Sequence, residues 1–364
     1  MKHVLFYTDT PNLGGAEKHM LLLAKHLNQQ EVAVSLAYGR YSKIAKLHGE
    51  FAKCCKQVFV LPMLHKHDPR HYSELKKILA AHKFDLVHLH LWNPGSCRYA
   101  FFAASSAGLP IVTTEHDPFE LTGMKRLIKK KCLSKTAQTI TISRDNFRLL
   151  GEFYGVPEKQ LEMVHNGIEI DSFLDNKIKA DLPVQHGSPV ITCIAELHHR
   201  KGHRYLFEAF RKLQAHMPQV SLILVGTGPA ERELKDQYSQ IPNVHFLGWR
   251  ADVPQILKAS DILVLPSLKE AFGQVILEAM ASGVITVATN NGGIVDIIQD
   301  GLTGYLVPPA NGEAIAERLA AILKNTAQKM DIEKAALHSV KMNFSAQRMA
   351  DKTLNVYKKV WQAQ

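Results

Sequence analysis

The sequence predicts an α/β protein made of two doubly wound, Rossmann-like domains of parallel sheet. Three observations carry this. Apolar strand-like runs alternate with amphipathic, helix-length stretches along the chain. At 364 residues the chain is long enough for two domains of ordinary size. A turn dipeptide followed by a polar stretch breaks the alternation near its middle.

In the first half, strands are expected at 4–8, 32–37, 58–62, 85–90, 111–115 and 138–142. Helical patterns lie between them, such as Glu17 to Leu27, whose apolar residues recur on one face. The seam falls near His165-Asn166-Gly167-Ile168, and a polar stretch from Asp171 to Ser188 follows. Strands are expected again at 190–195, 221–225, 244–247, 261–265, 284–288 and 304–307. Right-handed crossovers turn each set into a parallel sheet covered on both faces. The boundaries are therefore 1–168 and 169–344. Residues 345–364 form a last amphipathic helix, with Met349, Leu354, Tyr357 and Trp361 as its buried stripe, and this helix is expected to return to the first domain. Useful residues should lie in loops just after strands, where two such sheets face a cleft.

Hydrophobic residues at 46% and charged residues at 21% are ordinary for a globular chain. No apolar run approaches the ~20 residues needed to cross a bilayer. Met1 and Lys2 lead straight into a strand with no small-residue cleavage site, so a soluble, cytoplasmic protein that keeps its first residues is expected. Five cysteines, two of them adjacent and none in a C-x-x-C pair, argue for reduced thiols. Net charge is +10, and it is uneven. Residues 1–166 hold 23 Lys and Arg against 14 Asp and Glu, whereas 167–364 hold 21 against 20. A negative partner should meet the first half: nucleic acid, an anionic membrane surface or a phosphorylated substrate.

Strand 4–8 empties into Asp9 to Glu17, where Gly14 and Gly15 precede a helix. They serve either a tight turn of positive φ or the close approach of backbone N–H groups to an anion. Strand 111–115 ends at His116, placed to exchange a proton or hold a hydroxyl. His88 and His90 share one strand face and read as packing residues, and His198-His199 lack partners at ligand spacing, so no metal site is expected. After strand 190–195, Lys201 and Gly202 stand where the next helix begins, which suits a phosphate or simply a helix start. After strand 261–265, Glu270 and Glu278 bracket seven residues. In one continuous helix, at ~100° per residue, they would sit about 80° apart. Glu270 is better placed in the loop, with the helix starting near Gly273 and Glu278 one to two turns in. The Phe272-Gly273 amides then face an anion, and the carboxylates accept hydroxyls on either side of it. A paired-carboxylate hydrolase fits this layout less well.

These elements, with LVGTGPAERELK at 224–235, NVHFLGWRADV at 243–253 and GGAE at 14–17, resemble the retaining, nucleotide-sugar-dependent glycosyltransferases of the GT-B fold, glycosyltransferase family 4. The resemblance runs from Val4 to about Val307 and is densest after residue 190. It implies an acceptor-binding first domain and a donor-binding second one. It also implies α-retaining transfer of a hexosyl group from a nucleoside-diphosphate sugar to a hydroxyl of a glycan or lipid-linked acceptor, without metal or other cofactor. The absence of Asp-x-Asp agrees. By carry-over, Glu270 grips donor-sugar hydroxyls and Glu278 the ribose. Lys201, Gly15 and the Phe272-Gly273 amides hold charge on the leaving diphosphate, while His116 contacts the sugar and the backbone at Trp249-Arg250 meets the base.

One position departs from the pattern. The family carries Gly-Arg-Leu before its Lys-Gly pair, whereas this chain reads Ala195-Glu196-Leu197. Either Glu196 points away, or Arg200 or another cation compensates, or the donor site is altered. A non-catalytic nucleotide-sugar-binding homologue and a sugar-nucleotide epimerase are the alternatives. The basic run Met124 to Leu133, with a cationic face beside Leu127, Ile128 and Leu133, suits an anionic membrane surface, as for polysaccharide or lipopolysaccharide synthesis. Lys43, Lys46, Lys53 and Lys56 add to this charge. No nucleic-acid motif accompanies it.

Overall fold

The computed structural model describes residues 1–28, 32–174, 178–325 and 328–364. They form two compact units: Met1–Gly167 with Ala346–Gln364, and Ile168–Ser345.

The first unit contains β1 (Lys2–Thr8), α1 (Gly15–Asn28), β2 (Val32–Gly39), α2 (His48–Cys54), β3 (Gln57–Leu61), α3 (Arg70–Ala81) and β4 (Leu86–Leu91). Then come α4 (Arg98–Ser106), β5 (Ile111–Glu115), α5 (Gly123–Leu133), β6 (Gln138–Thr141), α6 (Arg144–Arg148) and β7 (Leu161–Met163). Its seven strands are parallel, in the order β3-β2-β1-β4-β5-β6-β7. Both faces are buried, which is why the strands read as continuous apolar runs. Val4 and Phe6 pack into one core, and Leu5 and Tyr7 into the other. β7 was not expected from the sequence. It is a three-residue strand at the sheet edge with only Leu161 buried, too short to show a period.

The second unit contains α7 (Asp171–Leu174), β8 (Val190–Ile194), α8 (His203–His216), β9 (Ser221–Val225), α9 (Glu231–Tyr238), β10 (Val244–Gly248) and α10 (Val253–Lys258). It continues with β11 (Ile262–Leu265), α11 (Gln274–Ala281), β12 (Ile285–Thr289), β13 (Tyr305–Val307), α12 (Gly312–Lys324) and α13 (Lys329–Asn343). Six parallel strands run β10-β9-β8-β11-β12-β13. α8 and α12 supply Leu206, Phe210, Ile315 and Leu319 to the larger core.

The last helix, α14 (Ala346–Gln362), belongs to the first unit. Its buried stripe is Met349, Ala350, Thr353, Val356, Tyr357 and Val360. Leu354 and Trp361, expected inside, flank that stripe half-buried, because the 3.6-residue period centres on Val356 and Tyr357. The Tyr357 hydroxyl bonds His88 Nδ1 at 2.6 Å, and His88 Nε2 meets Thr114 Oγ1 at 2.8 Å. His88 is thus a packing residue.

In both sheets the strand order reverses beside the first strand, between β1 and β4 and between β8 and β11. Chain leaving the two neighbouring strand ends there goes to opposite faces of the sheet, which opens a crevice between the loops.

Candidate functional site

In the second unit, the loops after β8 and β11 meet at this reversal. The chain after β8 makes one 3₁₀ turn, His199–Lys201, capped by His198 Nδ1, which accepts the Arg200 amide at 3.1 Å. Gly202 then sits at φ 68°, and a Cβ there would lie 2.0 Å from the Pro266 carbonyl. Only glycine lets this turn touch the β11 loop. The Arg200 carbonyl accepts the Leu268 amide at 2.8 Å.

This contact brings Lys201 to Glu270. Lys201 Nζ lies 2.5 Å from Glu270 Oε2, with side chains only 11% and 10% exposed. The fully buried Ser267 hydroxyl donates to the same oxygen at 2.9 Å. Burial pushes the Glu270 carboxyl up, but Lys201, Ser267 and Arg200 together outweigh it and hold the group below the usual carboxylate range. Glu270 is therefore ionised and Lys201 oriented. Glu270 stands in the loop and α11 starts after Gly273 (φ 93°), with no side chain capping it and no acid in its first turn. That helix start presents amide donors and positive potential. Glu278 lies in the second turn of α11, half-buried.

Glu196 is exposed, and its Oε2 stands 3.7 Å from Arg200 Nη2. Trp249 is 70% exposed. Arg250 forks onto Asp252 at 2.7 and 2.5 Å, so its guanidinium is engaged and its backbone carries what remains.

Sequence reasoning missed the residues that hold the Glu270 loop. Asn291 Nδ2 and Thr289 Oγ1 both donate to the Ser267 carbonyl, at 2.6 and 2.5 Å, and the Gly293 amide donates to the Glu270 carbonyl at 3.0 Å. A Cβ at Gly292 or Gly293 would lie 1.9 or 2.3 Å from the carbonyls of Glu270 or Ala271. The glycine pair just after β12 was the available signal.

In the first unit, the Gly14 amide is already bonded to Glu17 Oε2 at 2.6 Å, and Gly14 has no left-handed φ. The tight-turn reading of Gly14 fails; instead the Glu17 carboxylate, in the first turn of α1, accepts the Gly14 amide. Gly15 opens the helix. His116 follows β5 and is 6% exposed. Its Nε2 is 3.3 Å from His90 Nδ1, and its ring meets His19 edge-on at 4.8 Å. Burial, with His19 and His88 nearby, pushes His116 well below the ordinary imidazole range. The ring is therefore held neutral. His19, His90 and His116 each bring one ring nitrogen within 4.8 Å of the others, the one grouping among the described residues with metal-ligand character. Next to His116, Glu115 and Lys129 form a fully buried ion pair.

Lys129 was expected on the cationic face of the 124–133 helix and is instead inside with Leu133, because it must reach Glu115. The outer face of α5 carries Met124, Lys125, Leu127, Ile128, Lys130 and Lys131. No helix among the described residues is long and apolar enough to cross a membrane.

Comparison with known proteins places this geometry in context. The family model described as Glycosyltransferase Family 4 matches residues 13–172, and that of Glycosyl transferases group 1 matches 175–338. The chain is 28% identical over 313 residues to the Escherichia coli UDP-Gal:alpha-D-GlcNAc-diphosphoundecaprenol alpha-1,3-galactosyltransferase, covering 80% of this chain and 79% of that one. It is 28% identical over 331 residues to the phosphatidyl-myo-inositol mannosyltransferase of Mycolicibacterium smegmatis, covering 87% and 82%. Anabaena HepE, solved in complex with UDP, superposes with a TM-score of 0.83 at 21% identity over 99% of this chain and 100% of its own. The parallel-sheet topology of each unit, the likeness to HepE and two adjoining family matches agree: the chain belongs to the glycosyltransferases of family 4, glycosyl transferases group 1.

Proposed function

We propose that this glycosyltransferase moves a hexosyl group, with retention and without a metal, from a nucleoside-diphosphate sugar to a hydroxyl of a glycan or lipid-linked acceptor. The second unit takes the donor. Lys201 and the amides of Phe272-Gly273 and the α11 start receive the charge that develops on the diphosphate as the sugar–oxygen bond breaks. Holding that charge dominates the barrier, since a stabilised diphosphate departs without a proton. Glu270 fixes Lys201 through one oxygen and offers the other to a sugar hydroxyl. Glu278 takes the ribose, and the backbone at Trp249-Arg250 the base. The first unit binds the acceptor, with neutral His116 bonding the sugar and Gly15 adding an amide. The Lys201–Glu270 pair beside an uncapped helix start is the observation that carries this reading.

The chain works at the cytoplasmic face of a membrane, as in polysaccharide or lipopolysaccharide assembly, with the outer face of α5 on anionic lipid. Exposed Met124 (69%) and Leu127 (60%) beside Lys125, Lys130 and Lys131 support this. The named substrates of the Escherichia coli and Mycolicibacterium relatives, a diphosphoundecaprenol sugar and a phosphatidylinositol, also support it. The test is donor turnover with UDP-, GDP- and ADP-sugars, with and without chelator, reading the product anomer by NMR. Retained turnover in chelator and an α-product are expected. Loss of turnover on chelation, or an inverted product, would overturn the proposal.

A further inference from the structure

The loops at the β1/β4 reversal of the first unit hold a second cationic constellation, not used above. It is built on Asp9, which follows β1 and is 4% exposed. Asp9 Oδ1 accepts the Trp92 indole N–H at 2.9 Å, and Oδ2 accepts the Cys97 amide at 2.7 Å. Cys97, at φ 58°, turns the chain into α4. The β4–α4 loop is thereby pinned to the end of β1.

The β3–α3 loop lies against it. Lys66 Nζ stands 4.7 Å above the half-buried Trp92 ring, and the Tyr99 hydroxyl donates to the His67 carbonyl at 3.1 Å. Arg98 Nη2 lies 3.2 Å from His67 Nδ1. A guanidinium only donates, so His67 Nδ1 accepts and its Nε2 carries the hydrogen. The Lys66 ammonium and the Arg98 guanidinium thus both stand beside His67, where the β3–α3 and β4–α4 loops meet. Among the described residues neither Lys66 nor Arg98 forms an ion pair with a carboxylate. Crowding shows on His67, which lies below the ordinary imidazole range through burial and the charges of Lys66, Arg98 and His65. Two neighbouring cations without a carboxylate ion pair, on loops pinned by Asp9, suit the oxygens of a phosphate or diphosphate. It also gives a use for part of the excess charge of residues 1–166.

We propose that Lys66 and Arg98, on loops held by the Asp9–Trp92 bond, bind the phosphate or diphosphate of an anionic acceptor. This rests on the acceptor role given above to the first unit. Two sources share the chemistry, a soluble sugar phosphate and a lipid-diphosphate sugar.

The test titrates the full chain and its Lys66→Ala/Arg98→Ala variant with glucose 1-phosphate, farnesyl-diphospho-N-acetylglucosamine and uncharged methyl α-glucoside, and separately with UDP, GDP and ADP. The wild type should bind at least one phosphorylated probe at least tenfold tighter than the glucoside. The variant should lose at least tenfold of that and keep its nucleoside-diphosphate affinity. Preference for the farnesyl compound assigns a lipid headgroup, and equal binding a soluble phosphate. Lys66→Arg should restore binding. Unchanged binding in the double variant, no advantage of charge, or no binding of either phosphorylated probe overturns the proposal. Failure of the wild type to bind any nucleoside diphosphate instead breaks the donor reading, and with it the acceptor role of these cations.

Discussion

Lys201 and Glu270 are each other's closest charged partners, Nζ to Oε2 at 2.5 Å, across the junction of the β8 and β11 loops. The sequence assigned them separate ligand groups. Their contact makes them one device, in which the carboxylate sets where the ammonium points. Lys201→Met leaves a nearly buried carboxylate with Ser267 as its remaining side-chain partner, which costs about 3–5 kcal/mol. Glu270→Gln removes the partner of a buried ammonium, at a similar cost. The double variant should lose clearly less than the sum, because no charge is stranded. Turnover should fall by at least ~10²-fold in each single variant. Urea unfolding and donor turnover on the three proteins check this, and additive stability losses would refute the coupling.

Acid should destabilise the first unit in particular. His19 is pushed down to about 4 by burial, with Asn166 partly countering, and His88, His90 and His116 are also held low by burial. The unfolded imidazole takes its proton near 6.5, so stability is fully present above that value. It is lost progressively as the pH falls toward the folded value. For His19 alone the loss is on the order of 3 kcal/mol by pH 4. Glu270, held low, has the same sign in a lower window, losing its contribution below the carboxylate range. Urea midpoints from pH 8 to pH 4.5 should fall, and the fall should be shallower in His19→Gln. Equal slopes would show that His19 is not buried neutral.

Much of the fold was legible because both sheets are buried on both faces, which makes β1, β4, β8 and β11 conspicuous apolar runs. Lys201 and Glu270 were legible because each directly follows such a run. What tied them together was not. Ser267, Asn291 and the Gly292-Gly293 pair act through backbone contacts between loops that are distant in sequence, and no local period reports those. Lys129 misled for a related reason. In a run of lysines, the one turned inward is chosen by Glu115, a residue on another element.

The outer face of α5 offers a membrane prediction. Met124, Leu127 and Ile128 are exposed beside Lys125, Lys130 and Lys131. Each basic residue near an anionic bilayer contributes about 1 kcal/mol. Flotation with phosphatidylglycerol vesicles should recover the wild type, and Lys125→Glu/Lys130→Glu/Lys131→Glu should abolish recovery without changing the thermal midpoint by more than a few degrees. Equal recovery with neutral phosphatidylcholine vesicles would remove the electrostatic account.

Gly202 joins the β8 and β11 loops, so under the proposed donor role it links stability to activity. At φ 68° a side chain costs roughly 1–2 kcal/mol. The 2.0 Å approach of a Cβ to the Pro266 carbonyl adds a backbone clash that only separation of the loops relieves. Gly202→Ala should therefore lower stability beyond the φ cost and reduce turnover by at least ~10-fold, since Lys201 moves with the turn. The neighbouring exposed substitution Arg204→Ala should do neither. Turnover at the wild-type level in Gly202→Ala would show that the turn does not position Lys201.

Glu196 tests how far a departure from the family pattern is compensated. Its bond to Arg200 spans 3.7 Å between side chains that are 49% and 36% exposed, so it contributes little stability, and its importance is electrostatic. While it stands, Arg200 belongs to a neutralised pair, and under the proposed donor role this weakens its pull on a diphosphate. Glu196→Arg removes the neutralising charge and adds a cation. At partly screened distances this is worth ~1 kcal/mol, or roughly five- to tenfold in nucleoside-diphosphate affinity. The gain should shrink as salt rises, because the charges are exposed. Glu196→Gln should recover a smaller part of it by releasing Arg200 alone. Titration of UDP, GDP and ADP at low and high salt reads both effects. Identical affinities in wild type, Glu196→Gln and Glu196→Arg would mean that position 196 does not face the diphosphate and that Arg200 was never withheld from it.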